Sequence, residues 1–440
     1  MSIAVQFSNP HGVYYPGTEV CGTVILNLES SIKARSVCIF VDGRAHTHWT
    51  ESESHTHRNA DGTTHTETRT ITYEASVIYA SGEAVVWSDS PSADKLLPGQ
   101  HQFPFRFFLP ATCAPSFEGC YGYIRYQVSV EIDRKWRFNK TNRKFFTVAP
   151  TFDLNTIPQA IQPVKDSKCK NTGMVLFRHG KIMVEARISK MGFVPGEGII
   201  IDCFVDNGSS RPVVNAEVKL NQVSKYLAAR SGWSCHYSVG LHATQCAHRR
   251  EEKKIVARGG RIIDVAPKSK GNVQIEVAVP ATVASFNSCP IISVEYYLSV
   301  KLCLKGNINN EVKNHLPILI GTIPVYQLMT VVQPSGPQPS APYPQIGFNP
   351  SGAYPTPGNV YPSPSSSAAS APVDPSPPYP GGAAGSQGLP PSYEESVYGT
   401  AGTTKNTDNA EAFAPRYPVY HNLPPPPGFT PSAPALPQKS

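Results

Sequence analysis

Phe108-Leu-Pro-Ala-Thr-Cys-Ala-Pro-Ser-Phe117 decides the fold of this chain, because it occurs twice. Its second copy is Val279-Pro-Ala-Thr-Val-Ala-Ser-Phe286. A tyrosine-bearing, strand-like segment follows each: Tyr126-Gln-Val-Ser-Val130 after the first and Tyr296-Tyr-Leu-Ser-Val300 after the second. Pro110 and Pro280 are 170 residues apart, and so are Tyr126 and Tyr296. Upstream of each copy lies a Pro-Gly pair, Pro16-Gly17 after Tyr15 and Pro195-Gly196 after Val194. Proline fixes φ and glycine accepts a positive φ, so such a pair suits a turn that leads into a strand. One shared Pro-Gly is a coincidence between β-rich segments. Three landmarks in one order at a near-constant offset are an internal repeat.

The segments around these landmarks read as β-structure. Val24–Leu28, Val37–Val41, Phe103–Leu109, Ile124–Ile132, Ile199–Val205, Val273–Val279 and Val294–Leu304 are short runs rich in Val, Ile, Phe and Tyr, separated by Gly, Pro and Asn. In the last run Val294, Tyr296, Leu298, Val300 and Leu302 share one face of a period-two strand. No stretch holds a 3.6-residue period for three turns. Many short strands within about 150 residues indicate an antiparallel sandwich, and the repeat makes it two. The predicted fold class is all-β, with tandem antiparallel β-sandwiches at 1–150 and 175–327, a linker at 151–174 and a Pro-rich tail at 328–440.

Composition changes abruptly where the second sandwich ends. Of 43 prolines, 26 follow residue 330, whereas all ten cysteines precede it. The body carries 36 basic and 27 acidic side chains, and the remainder only three basic and five acidic. A sparse segment rich in Pro, Ser, Gly and Ala cannot bury enough apolar surface to offset its ordering entropy, so the tail is expected to be disordered. Met1-Ser-Ile-Ala-Val-Gln-Phe7 has no basic flank and no long apolar run, so no secretory signal is expected. No stretch approaches the roughly 18 apolar residues of a membrane span. The scattered cysteines are therefore expected to be reduced thiols in the cytosol, and the sequons at Asn139 and Asn207 to carry no sugar. The basic excess of the body suits acidic headgroups or acidic cargo, leaving peripheral membrane association open. It includes no dense Lys/Arg cluster, so a mildly basic soluble surface is the plainer reading, and no nucleic-acid partner is expected.

The chemistry-bearing motifs lie in the tail. Leu389-Pro390-Pro391-Ser392-Tyr393, followed by Glu394 and Glu395, is a Pro-Pro-x-Tyr ligand. A Pro-Pro pair is already in polyproline II, its rings slot between aromatic side chains of a WW groove, and the tyrosine fills an adjacent pocket. Pro377-Pro378-Tyr379 lacks the spacer and Tyr417-Pro418-Val419-Tyr420 lacks the first proline, so both read as spacer more readily than as ligand. Pro339-Ser340-Ala341-Pro342 and Pro431-Ser432-Ala433-Pro434 are two Pro-Ser-Ala-Pro tetrapeptides. They resemble the motif read by the ubiquitin-E2-variant domain of ESCRT-I, although Pro, Ser and Ala also dominate the tail by composition. Several short ligands on one chain raise the effective concentration for a multivalent partner.

In the body, His46, His48, His55, His57 and His65 flank Asp61-Gly62, a hairpin signal. No cysteine or carboxylate is placed to complete a metal site with them, so a solvated hairpin face is the plainer reading. Cys235, His236, His242, Cys246 and His248 mix zinc-type ligands at spacings that match no ribbon or finger. Neither a cofactor nor a metal is expected. The phosphate-loop, dinucleotide, zinc-protease and nucleophile-elbow motifs are all missing, so no enzyme is predicted.

These landmarks together resemble the α-arrestins, the arrestin-domain-containing proteins. The carriers are Pro16-Gly17, Leu97-Pro98-Gly99 leading into Phe103-Pro-Phe-Arg-Phe107, the Leu-Pro-Ala-Thr turn, Gly122-Tyr-Ile-Arg-Tyr126, Phe193-Val-Pro-Gly-Glu197 and Val279-Pro-Ala-Thr282. The resemblance extends to the Pro-rich tail with its WW ligand. It implies arrestin-type sandwiches and a non-enzymatic trafficking adaptor. The body would contact cytoplasmic regions of membrane receptors or transporters, and Leu389, Pro390, Pro391 and Tyr393 would recruit the WW domains of a HECT-type ubiquitin ligase. Cargo would be ubiquitinated and sorted through endosomes, with ESCRT-I a further partner. The protein would be cytoplasmic, recruited to plasma membrane and endosomes. Neither an N-terminal amphipathic helix nor a phosphate-sensing charged core is found, so activation by receptor phosphates is not implied. Two other roles fit the layout: a thioredoxin-binding redox scaffold of the same family, and a coat component, which the Pro-rich tail disfavours.

Overall fold

A computed structural model describes residues 1–58, 62–90, 95–135, 137–173, 178–231, 247–306, 310–325 and 413–420. The first sandwich is built from β1 (Ser2–Phe7), β2 (Val13–Tyr14), β3 (Glu19–Leu28), β4 (Ala34–Arg58), β5 (Thr64–Ser88), β6 (Gly99–Phe108), β7 (Phe117–Gly119), β8 (Gly122–Arg134) and β9 (Lys140–Val148). The order β1-β3-β6 makes one sheet, and β5-β4-β8-β9-β2 runs through the other. Strict alternation puts Val20, Val24, Leu26 and Leu28 of β3 inside. Ile124, Tyr126, Val128, Val130 and Ile132 of β8 join the same buried cluster. Each such side chain contributes roughly 1.5–3 kcal/mol when fully buried.

The second sandwich repeats the plan. Its strands are β10 (Val164–Gly173), β11 (Arg178–Ile188), β12 (Gly192–Phe193), β13 (Gly198–Ser209), β14 (Val213–Arg230), β15 (His248–Val265), β16 (Ser269–Ala278), β17 (Ile292–Leu304) and β18 (Glu311–Ile320). One sheet has the order β10-β11-β13-β16, and the other runs β12-β18-β17-β14 with β15 also on β14. Val294, Tyr296, Leu298, Val300 and Leu302 are all buried on one face of β17, as their alternation requires. All seven sequence-predicted strands lie within these elements, except that Leu109 and Val279 each fall one residue past a strand end. Asn207, a sequon residue, is wholly buried, its amide donating to the carbonyls of Arg211, Val265 and Ala266. Among the described residues no helix is long and apolar enough to cross a membrane.

The sequence landmarks touch one another in both sandwiches. The Gly17 N–H donates to the Leu109 carbonyl at 3.0 Å and the Leu109 N–H returns to Thr18 at 2.9 Å. In the second copy the Gly196 N–H donates to Val279 at 2.8 Å and the Val279 N–H to Glu197 at 2.9 Å. Gly17 has φ +78° and Gly196 φ +93°, conformations that a side chain opposes. The two tyrosines close the same corner: Tyr126 donates to the Ala114 carbonyl and Tyr296 to Val283, both at 2.7 Å. Ser116 and Ser285 complete it, each exchanging bonds with a strand end, Val148 and Ile320. The repeat is thus a corner that locks one strand of a sandwich to its neighbour.

The hairpin expected around Asp61-Gly62 is present as β4–β5, with His57 opposite His65, but its length was not legible. Its outer half, Thr50–Arg58 paired with Thr64–Thr72, consists of Thr, Ser, Glu, His and Arg apart from the buried Ile71 at its base. Also unforeseen is that the sandwiches share a sheet: Ala229 and Arg230 of β14 pair with Glu74 and Tyr73 of β5. The two domain sheets therefore run on as one of eleven strands.

Candidate functional site

The junction between the sandwiches is the most elaborated part of the body. Phe117 and Phe286, the last residues of the two repeat copies, meet edge to face at 6.0 Å. Thr47 Oγ1 donates to the Leu227 carbonyl at 2.7 Å, and Arg250 pairs with Glu51 at 2.7 Å. Glu252 of the second sandwich accepts from the Cys120 N–H at 3.0 Å, the Cys120 thiol at 2.9 Å and the Tyr226 hydroxyl at 2.8 Å. Burial opposes its charge, yet these donors hold Glu252 below the usual carboxylate range. Burial, reinforced by Glu252, pushes the Cys120 thiol up to about 11.

On another side the linker folds into two short 3-10 turns, Leu154–Thr156 and Pro158–Ile161. Leu154, Ala160 and Val194 form a small buried cluster there. The Phe152 N–H donates to Thr322 Oγ1 at 2.7 Å, tying the linker to the end of the second sandwich.

A segment remote in sequence lies along this junction. Phe413–Tyr420 runs from the first sandwich to the second, with Pro415, Pro418 and Val419 buried. Phe413 packs on Phe145 at 5.1 Å. The Arg416 N–H donates to Thr147 Oγ1 at 3.1 Å and its guanidinium to the His11 carbonyl at 3.1 Å. Tyr417 donates its hydroxyl to the Ser116 carbonyl at 3.2 Å, and desolvation pushes that phenol well above its ordinary value. The Tyr420 N–H then donates to Pro195 at 3.0 Å and its hydroxyl to Thr322 at 3.0 Å. Beneath the segment is a cavity of about 140 Å³ bounded by Phe117, Gln222, Lys254, Thr282, Pro415 and Tyr417.

With that geometry in view, known proteins align as follows. The family described as arrestin (or S-antigen), N-terminal domain, matches residues 3–155, and its C-terminal counterpart matches residues 178–325. The chain belongs to the arrestin-domain-containing family. Arrestin domain-containing protein 17 of Caenorhabditis elegans is 29% identical over 322 residues, covering 73% of this chain and 70% of that protein. Arrestin domain-containing protein 4 of Mus musculus is 28% identical over 317 residues, covering 71% and 69%. Arrestin domain-containing protein 1 of Rattus norvegicus is 27% identical over 329 residues, covering 73% and 64%.

For this arrestin-domain protein, the sequence-predicted tail ligands are not among the described residues. Leu389, Pro390, Pro391 and Tyr393 lie outside the described residues, as do Pro339, Ser340, Ala341, Pro342 and Pro431, Ser432, Ala433, Pro434. Cys235, His236, His242 and Cys246 are likewise outside, while His248 packs on Tyr73 at 4.3 Å. The histidines of the β4–β5 hairpin are spread along it. His57 faces His65, His55 faces Glu67 and His48 faces Glu74, with desolvation depressing His46. The eight described cysteines are free thiols. Sequence reasoning missed Phe413–Tyr420, taking Tyr417-Pro-Val-Tyr420 for spacer. Its signal was three aromatics within eight residues, directly after a run, 399–412, that has none.

Proposed function

We propose that this arrestin-domain protein is a non-enzymatic trafficking adaptor that links membrane cargo to a WW-containing HECT-type ubiquitin ligase. Family membership supports an adaptor-type role. The finer reading rests on one observation: Leu389-Pro-Pro-Ser-Tyr393 follows two joined arrestin domains. The body would hold a cytoplasmic region of a receptor or transporter, and Tyr393 with its two prolines would bring the ligase to it. The adaptor makes no covalent bond; it supplies proximity, and proximity alone raises an encounter to an effective concentration set by the tether. Pro339–Pro342 and Pro431–Pro434 would pass the ubiquitinated cargo to ESCRT-I at endosomes.

The test is ligase co-precipitation by the full-length chain with Tyr393→Ala. Loss of the ligase with cargo binding retained is the expected result. Undiminished ligase recovery by Tyr393→Ala would overturn the role assigned to this motif.

A further inference from the structure

Among the described residues, the polar partners of 413–420 are Thr147, His11, Ser116, Pro195 and Thr322, all on the body. The contacts are specific to side chains: Phe413 on Phe145, Tyr417 on Ser116, Tyr420 on Thr322, with backbone bonds from Arg416 and Tyr420 between them. They use both sandwiches, so the segment crosses the junction. Gly196 is shaped for it, since a Cβ there would overlap the Tyr420 carbonyl. Two buried prolines, Pro415 and Pro418, hold φ near its extended value and lower the ordering cost of docking.

We propose that the groove across the domain junction is a peptide-recognition site for an extended Phe-x-x-x-Tyr-Pro-x-Tyr segment, and that residues 413–420 of this chain are its resident, releasable ligand. Docked, they fasten the first sandwich to the second. They also shorten the tether to Tyr393: covalent length limits the 20 residues from Phe413 to a reach of roughly 70 Å, against roughly 240 Å for the 68 from Val325. The Tyr417-Pro-Val-Tyr420 stretch is thereby an anchor for the body rather than an incomplete WW ligand. This inference stands on the junction contacts and does not depend on which partner Tyr393 recruits.

Hydrogen exchange on the full-length protein tests it directly. The amides of Arg416 and Tyr420 should exchange on the order of 100-fold more slowly than unprotected amides, and independently of protein concentration. The full-length double variant Tyr417→Ser, Tyr420→Ser should lose that protection. A labelled synthetic peptide of residues 410–423 should then bind the double variant saturably, while the wild type, its groove occupied, excludes it. Unprotected exchange at Arg416 and Tyr420 in the wild type overturns the proposal, as does equal peptide uptake by both proteins or none by the variant. Protection that appears only as concentration rises assigns the groove to a second copy of the chain and overturns the arrangement within one chain.

Discussion

The two copies of the corner motif are built alike and used differently. In the first, Ala111 and Thr112 are exposed, and the space over Gly17 is bounded only by Ala111 of the same corner, 3.8 Å from where a Cβ would sit. In the second, Thr282 is buried, within 2.8 Å of the Tyr296 hydroxyl and 3.3 Å of Gln222 Oε1, and the Tyr420 carbonyl covers Gly196. The backbone bonds that define the corner are the same. What differs is the neighbour each copy meets. A repeated local solution sets the strand connections, and its surroundings decide whether it closes a domain or also receives another segment.

The strongest way to break this comparison is at the two phenylalanines that end the copies. Phe117 is buried, between Phe286 at 6.0 Å and Tyr226 at 6.5 Å, whereas Phe286 is only partly buried. Phe117→Ala is expected to cost about 3–5 kcal/mol of stability, within the range for a large aromatic cavity. Phe286→Ala is expected to cost clearly less. Urea midpoints of the full-length variants measure both, and equal losses would show that the copies bear equal weight at the junction.

A smaller effect separates the copies at their glycines. Gly17→Ala and Gly196→Ala both place a side chain at positive φ, a strain of about 1–2 kcal/mol each. Only Gly196→Ala also meets the carbonyl of Tyr420. Both variants should therefore lose similar thermal stability in the body, while Gly196→Ala alone frees the Tyr420 amide to exchange. Release by Gly17→Ala as well would mean that the segment senses general loosening of the domains rather than the shape of one turn.

How much of this was legible follows from which residues carry a local signal. Pro-Gly pairs, the Pro-Ala-Thr turns and alternating strands such as Val294 to Leu302 encode their own conformation, so the all-β class and the repeated corner could be read directly. Asp61-Gly62 marked the turn of the β4–β5 hairpin, but the length of its arms could not be read, because Thr50–Arg58 shows polar side chains on both faces and periodicity has nothing to report. The pairing of Tyr73 and Glu74 with Arg230 and Ala229 uses backbone groups, which sequence does not distinguish. The docking of Tyr417 on Ser116 spans 301 residues of chain, and only the aromatic density of its segment marked it.

Glu252 shows the same dependence on distant partners, and it gives the finest test of the junction. Its acceptors hold Cys120, a residue 132 positions away, as a neutral thiol with its pKa pushed up to about 11, burial being the first cause and the Glu252 bond and charge the next. Between the ordinary thiol value near 9 and about 11, an unfolded chain ionises this cysteine while the folded one keeps its proton. That contribution is intact below pH 9 and falls as pH rises through the window. Cys120 is exposed as a residue while its thiol is partly desolvated against Glu252, so comparing iodoacetamide labelling at pH 8 in the wild type and in Glu252→Gln reports the ionisation of the thiol. Its thiolate fraction there is expected to be about 100-fold below that of an ordinary thiol. Glu252→Gln removes the negative charge but not the burial, and should raise the labelling rate several-fold without restoring it fully. An unchanged rate in Glu252→Gln would place the whole effect in desolvation and dismiss the carboxylate as the group that keeps this thiol unreactive. A thiol so suppressed is a poor partner for mixed-disulfide chemistry, which weighs against the redox-scaffold reading at this cysteine.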